Sequence, residues 1–227
     1  MKTINIYITE KLKISKPKKK QYVSHILFPE TKDELLDMIK GEIQQNGDKC
    51  NLNHIDTSKI TDMSYLFQRS DFNGNISEWD VSNVIDMRSM FYNSKFNGNI
   101  SEWDVLNVRN MSDMFNNNIV FDQDISLWDV SNVKNMAGMF SYSDFNGDIS
   151  NWNVSKVKNM FNMFYKSKFN SDISQWDVSN VKDMEAMFYK SKFNQDISKW
   201  KINPNCDTQN MFAYCSINQN YIPASLR

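Results

Sequence analysis

The chain has 227 residues and a formal net charge of −1, so no overall charge excess directs it to nucleic acid or to a membrane surface. No apolar run approaches the ~20 residues of a membrane span, and the first 20 residues lack the apolar stretch of a secretory signal. The three cysteines, Cys50, Cys206 and Cys215, follow no motif spacing, which predicts reduced thiols.

A strand and a lysine-rich arm are predicted over residues 1–20. In Thr3–Thr9, isoleucines alternate with polar residues, a pattern typical of a half-buried strand. Lys11–Lys20 holds six lysines and no acid. This arm is either a solvated linker or a tether to phosphate or to an acidic partner; no interleaved aromatic residue indicates nucleic-acid binding.

A capping helix is predicted next, within residues 21–51. Leu35, Leu36, Ile39 and Ile43 fall on one helical face between positions 31 and 45. Thr31 and Glu34 match a capping box, and Gly47 is placed to end the helix. Repeat arrays need such a terminal cap.

A repeat with a period of 24 residues occupies most of the remaining chain. It is marked by six tryptophans, with successive spacings of 24, 25, 24, 24 and 24 residues: Trp79, Trp103, Trp128, Trp152, Trp176 and Trp200. A fixed period between about 20 and 50 residues is the signature of a repeat architecture. The unit containing Trp128 carries one extra residue within Asn116–Val120, which we expect in a surface loop.

Two hydrophobic periods coexist within one unit. Trp79 and Val81 alternate about Asp80, which predicts a short strand. A second set recurs at helical spacing and predicts a helix of about two turns: Val84, Met87, Met90 and Phe91. With Phe72 and Ile76 these residues give eight inward side chains, and the methionines among them are interpreted as core.

The spacing Ile76-x-x-Trp79-x-Val81-x-x-Val84 fits a leucine-rich repeat with tryptophan in a leucine position. We therefore predict an α/β repeat solenoid, a leucine-rich-repeat-like right-handed coil of about seven 24-residue units over residues 52–215. Residues 216–227 form a C-terminal tail. Each unit should be stabilised mainly by its neighbours.

A polar motif, Asn73-x-Asn75-Ile76-Ser77, also recurs in every unit. Its amide and carboxylate oxygens either satisfy the backbone of their own and the next coil or form a ladder of calcium ligands. The structural interpretation is favoured, because the glycines typical of calcium-binding repeats give way to Gln123, Ser171 and Gln195.

Residues flanking the tryptophans form the candidate partner surface. The acids that follow tryptophan are expected to cap the corner into the helix. The surface is acidic over its first half, basic at its far end, and carries two leucines where other units are polar. It comprises Asp56, Glu78, Asp80, Glu102, Asp104, Leu106, Leu127, Lys199 and Lys201.

Sequence features of an enzyme are lacking. The only histidines, His25 and His54, have no metal-ligand spacing, and no nucleophile or phosphate-binding motif occurs. Paired carboxylates recur with the repeat, whereas a catalytic pair should be unique. We expect no catalysis, no metal and no cofactor.

The unit FNxDISxWDVSNVxxMxxMF, seen in Phe169–Phe188, resembles the repeat of BspA-like leucine-rich-repeat surface proteins, over residues 28–215. The resemblance implies a solenoid and, for many members, adhesion or protein binding outside the cell. We expect a non-catalytic protein-binding scaffold that uses its strand face. Alternatives are an assembly or virion component docked through Thr3–Thr9, and an exported adhesin. The lack of a signal favours a cytoplasmic or virion location over the cell surface.

Overall fold

The computed structural model describes residues 27–227. The predicted strand Thr3–Thr9, the lysine-rich arm Lys11–Lys20 and His25 lie outside the described residues.

Helix α1, Lys32–Asn46, confirms the predicted capping helix. Both halves of the capping box form: the Glu34 backbone N–H donates to Thr31 Oγ1, and Glu34 Oε2 accepts from the Thr31 N–H, each at 3.3 Å. The helix ends at Gly47, whose φ of 80° suits glycine. Its apolar face, with Leu35 and Ile39 fully buried, belongs to the same core as the first repeat.

Polar contacts also hold α1 and the residues before it on the first repeat unit. Lys32 Nζ lies 3.3 Å from an Asp62 carboxylate oxygen and 2.6 Å from Ser64 Oγ. His54 Nε2 lies 3.2 Å from Glu42 Oε1. These contacts place the helix over one end of the repeat array.

Consecutive units lie side by side in parallel register. We call each unit a coil. Isolated parallel bridges join the same position of successive coils, through Asp62, Asp86, Asn110, Asn135, Asn159, Asp183 and Asp207. The next residue continues the ladder, as where the Met63 N–H donates to the Asp86 carbonyl at 2.9 Å. Parallel neighbours of this kind are about 4.8 Å apart.

The predicted helix of each unit does not form. Residues 47–218 contain no helix, and the segment after Val84 is a series of overlapping turns. The N–H groups of Met87, Ser89 and Phe91 donate to the next coil, at 2.8–3.0 Å, whereas an α-helix would use them internally. Both arrangements bury the same apolar positions, which is why helical spacing was a misleading signal.

Left-handed residues explain why the turns cannot merge into a helix. Two positions per coil have positive φ, as at Ser89 (55°) and Asn93 (51°). A left-handed conformation costs a non-glycine residue about 1–2 kcal/mol, and here the lateral hydrogen bonds offset that cost. The predicted strand at Trp79–Val81 is also absent, since the bridges fall at Asn75 and Asp86 instead.

The core is a set of stacked columns, one for each inward position. All eight inward side chains of the Phe72–Phe91 unit are buried, which confirms them as core, and the methionines of Met87 and Met90 type are fully buried. Phenylalanines of successive coils stack at centroid distances such as 5.5 Å for Phe91–Phe115. Each of the six tryptophans donates its indole N–H to the preceding coil at 3.0–3.2 Å.

The segment Asn116–Val120, which carries the extra residue, lies at the surface as predicted, with Ile119 61% exposed, but one of its side chains is anchored in the core. Asn118 is fully buried; its Nδ2 donates to the Phe96 carbonyl at 2.9 Å, and its Oδ1 accepts from the N–H groups of Val120 and Phe121. The side chain replaces the backbone hydrogen bonds that the insertion interrupts. At the far end, two 3₁₀ helices, Gln219–Tyr221 and Ala224–Leu226, pack Ile222 against the last coil.

Candidate binding surface

Each coil turns at three corners that are built the same way. An Asn or Asp side-chain oxygen accepts the backbone N–H two residues later, a local turn that these residues favour. In one coil the corners are at Asn75 (3.0 Å), Asp80 (3.0 Å) and Asp86 (2.8 Å). The repeated acids are therefore structural first, as predicted, although the corner leads into turns rather than a helix.

The corner acids of the candidate surface keep this role. Asp56 Oδ1 accepts from the Ser58 N–H at 2.9 Å and Asp104 Oδ1 from the Leu106 N–H at 3.1 Å. In two equivalent corners the pKa of the carboxyl is lowered: by the Ser131 hydroxyl and N–H at Asp129, and by those of Ser179 at Asp177. These bonds stabilise the ionised form.

The recurring Asn motif is a backbone ladder, as the favoured interpretation expected. Asn73 Oδ1 accepts from the Asn97 N–H of the next coil at 2.8 Å, and Asn75 Oδ1 accepts within its own coil. Across residues 27–227, no three His, Cys, Asp or Glu side chains come close enough together to hold a metal ion.

The remaining candidate residues line two exposed rows along one edge of the array. Glu78, Glu102, Leu127 and Lys199 each directly precede a buried tryptophan. The second row follows the tryptophans and contains Asp80, Asp104 and Lys201. We call these together the Trp-flanking edge. Acids recur along its second row as far as Asp177, and the last coil is basic.

Two apolar side chains are exposed beside the tryptophans, and a third, Ile85, lies in the row that directly precedes the third corner. Leu127 is 83% exposed, Leu106 is 40% exposed and Ile85 is 45% exposed. They occupy three successive coils. Leu127 directly precedes a tryptophan, and Leu106 lies two residues after the second corner, where other coils have serine. Ile85 directly precedes the third corner. The structure places Leu127 and Leu106 on adjacent coils, and Ile85 adds a third apolar residue that sequence analysis did not single out.

A tyrosine–lysine ladder was also missed. Tyr165 and Tyr189 of adjacent coils stack at 5.0 Å, while Tyr142 and Tyr214 extend the line at 5.3 Å from their neighbours. Lys166 Nζ lies 4.9 Å from the Tyr142 ring centroid, and Tyr142 Oη accepts from it at 3.2 Å. The position of Tyr165 and Tyr189 also holds Tyr92 in an early coil, but tyrosines in consecutive coils occur only from Tyr142 onwards, so comparing coils position by position would have revealed the ladder.

A family model described as "Mycoplasma protein of unknown function, DUF285" matches residues 37–144 and again residues 127–224. The two matches together span nearly all of the repeat array. No curated protein matches this chain, and no solved structure matches it. In the part of the chain that the structure describes, no helix is long and apolar enough to cross a membrane.

Proposed function

The chain belongs to the family of Mycoplasma protein of unknown function, DUF285, and we propose that it is a non-catalytic recognition scaffold that binds a protein partner along its Trp-flanking edge. The fold class proposed with it is a solenoid of stacked coils, with turns in place of the strand and helix of a leucine-rich repeat. Kinship with BspA-like surface proteins is proposed on the resemblance of the repeat.

The observation that carries this proposal is the exposure of Leu127. Its side chain is 83% exposed at a position where other coils carry Glu78, Glu102, Gln175 or Lys199. The fold therefore does not require an apolar residue there. Single exposed leucines are common, but Leu106 on the adjacent coil departs from the repeat in the same direction, and grouped apolar exposure marks protein contact sites.

The charges along the edge would orient a bound partner. Glu78, Asp80, Glu102 and Asp104 lie on the side of Leu127 nearer α1, and Lys199 and Lys201 occupy the last coil. Charged rims of this kind fix the register of a partner and raise its association rate more than its affinity. The proposed partner thus presents an apolar group to the leucines and carries basic residues towards the α1 end.

The chemistry within the described residues supports binding rather than catalysis. The repeated carboxylates are engaged in corner hydrogen bonds, and His54 pairs with Glu42 at 3.2 Å. This unrepeated pair joins α1 to the first repeat unit, whereas a catalytic acid and base would converge in a cleft. The alternative of docking through Thr3–Thr9 depends on residues outside those described.

The test compares three immobilised proteins for capture of partners from cell extract, quantified by mass spectrometry. They are the wild type, Leu127→Gln, and Leu127→Gln with Gln175→Leu. The third has the wild-type composition and moves the leucine two coils along the same row. A partner held by the wild type and lost equally by both variants, with unchanged thermal unfolding, supports the proposal. If the moved leucine binds the same protein, the position of the leucine along the edge does not select the partner and the proposed register is wrong. If neither variant loses the partner, the edge is not the site.

A further inference from the structure

Four cations form a single row on the array, and we call it the basic row: Arg109, Lys134, Lys158 and Lys182. All four are exposed and occupy the position before the third corner. Their backbones stack directly: the Lys134 N–H donates to the Arg109 carbonyl at 2.8 Å, and the next two steps are 2.8 and 2.9 Å. The charges are therefore carried on backbones about 4.8 Å apart.

This row is unfavourable for the fold itself. Like charges placed directly opposite on neighbouring strands are destabilising. The position does not demand a cation, because Thr61 and Ile85 fill it in the first two coils. None of the four cations lies in an ion pair with an acid of residues 27–227. The structure thus maintains a line of cations without ion-pair partners among the described residues, of which Lys158 donates to the Asn180 carbonyl at 3.4 Å.

The third corners, which directly follow the basic row, also carry less negative charge in the middle coils. The third corner is aspartate at Asp62, Asp86, Asp183 and Asp207, but asparagine in the three middle coils: Asn110, Asn135 and Asn159. The corner bond is kept, with Oδ1 accepting the N–H two residues later at 3.1, 3.0 and 2.8 Å. The exchange therefore removes negative charge next to Arg109, Lys134 and Lys158 without changing the turn.

A row of amides runs beside the cations. Asn83, Asn107 and Asn132 donate Nδ2 to the preceding coil at 2.8, 2.8 and 2.9 Å. Each amide thereby uses its donor group in the fold and offers its oxygen as an acceptor; that of Asn132 receives Lys156 Nζ at 2.7 Å. At the α1 end, a depression of about 540 Å³ lies among Lys59, Asn83, Asn107 and Arg109.

We propose that the basic row binds a linear anionic polysaccharide. Its carboxylate or sulfate groups would meet the cations, and its hydroxyl groups would donate to the amide oxygens beside them. Three of the four cations are lysines, which act as point charges and bind carboxylate or sulfate without requiring a fixed geometry. A single-stranded nucleic acid would in addition need successive aromatic faces, which neither the basic row nor the amide row supplies. This site is separate from the Trp-flanking edge.

Binding of fluorescent polygalacturonate and heparin fragments, followed by anisotropy at several salt concentrations, tests the proposal. Lys134→Gln with Lys158→Gln should weaken binding about 25-fold at low salt, taking about 5-fold per cation near an anionic surface, and should flatten the salt dependence. The matched control is Lys166→Gln with Lys190→Gln, which removes the same charge from the tyrosine–lysine ladder and should change affinity less than 3-fold.

A second variant adds charge without removing a cation. Asn135→Asp with Asn159→Asp restores the aspartate corner that four other coils carry, so the fold is retained, and binding should weaken by a similar factor. The proposal is overturned if neither polysaccharide binds at low salt, or if the control loses as much affinity as the basic-row variant. It is also overturned if single-stranded DNA of matched length binds more tightly than both polysaccharides.

Discussion

Replacing Trp152 by phenylalanine tests how the coils are joined. Trp152 is 3% exposed, and its indole N–H donates to the Ile125 carbonyl of the preceding coil at 3.0 Å. That carbonyl also accepts the Trp128 N–H at 3.2 Å, so Trp152→Phe leaves it with one partner rather than none. The lost bond is therefore worth about 1 kcal/mol, not the larger penalty of an unpaired buried group.

The smaller ring adds a packing loss. Phenylalanine lacks two carbons and the nitrogen of the indole, which corresponds to about 1.5 kcal/mol of buried apolar surface. The free energy of unfolding should thus fall by about 2–3 kcal/mol. Urea unfolding followed by circular dichroism and by tryptophan fluorescence measures it, and coincident transitions justify a single free energy for a repeat array.

Asn153→Asp is the matched control in the same coil. It restores the aspartate found at the equivalent corners Asp129 and Asp177, so its effect should stay within about 0.5 kcal/mol. If Trp152→Phe costs no more than this control, the indole hydrogen bonds between coils contribute nothing net to stability.

Three further predictions concern corners, a glycine and a thiol. Hydrogen bonds from Ser126 and Ser150 lower the pKa of Asp124 and Asp148 below the ordinary 3.8, so the stabilisation from these carboxylates is present above about pH 4 and lost as the pH falls further. Asp124→Asn with Asp148→Asn should therefore make the urea midpoint less dependent on pH between about 5 and about 2.5. An unchanged dependence would contradict this. Gly74→Ala should cost at least about 2 kcal/mol in urea unfolding, because its Cβ would lie 2.0 Å from the Cys50 carbonyl oxygen. Gly147→Ala should cost less, because its nearest contact is the edge of the Phe145 ring at 2.7 Å rather than backbone, and an equal loss for the two variants would refute the reasoning. Burial raises the pKa of the Cys206 thiol to about 11 from 9.0. At about pH 8 its lower thiolate fraction is partly offset by the higher nucleophilicity of that thiolate, so alkylation by iodoacetamide should be about 10-fold slower than that of an ordinary thiol. A rate equal to that of glutathione would rule this out.

Sequence periodicity predicted which residues are buried far better than it predicted their backbone. Val84, Met87, Met90 and Phe91 are all core, as their spacing indicated. That spacing cannot separate a helix from overlapping turns, because both return the chain to the same side after three or four residues. The deciding feature is the left-handed conformation at positions such as Ser89 and Ala186, which neither residue type indicates. By contrast, α1 has explicit start and stop residues, Thr31 and Gly47, and was predicted closely.

The surface was predicted only in part for a related reason. Columns that stay constant, such as Asp80 and Asp104, attracted attention because they repeat, yet their carboxylates are engaged in corner bonds. The basic row begins only at Arg109, and no short motif marks it. Recognising it requires knowing which positions of successive coils are in register, and that is given by the parallel bridges.

The sequence separation between hydrogen-bonded coils is nearly constant, and it limits how fast the array can fold. Each lateral hydrogen bond joins residues about 24 positions apart in a chain of 227, so the relative contact order is about 0.1, in the range of fast-folding helical bundles. Adding a coil closes a loop of the same length each time, at an entropic cost of about 3 kcal/mol. Residues 27–227, where helix is confined to α1 and two 3₁₀ helices and the bridges are all parallel, are thus expected to grow coil by coil from a formed neighbour, on the millisecond timescale or faster.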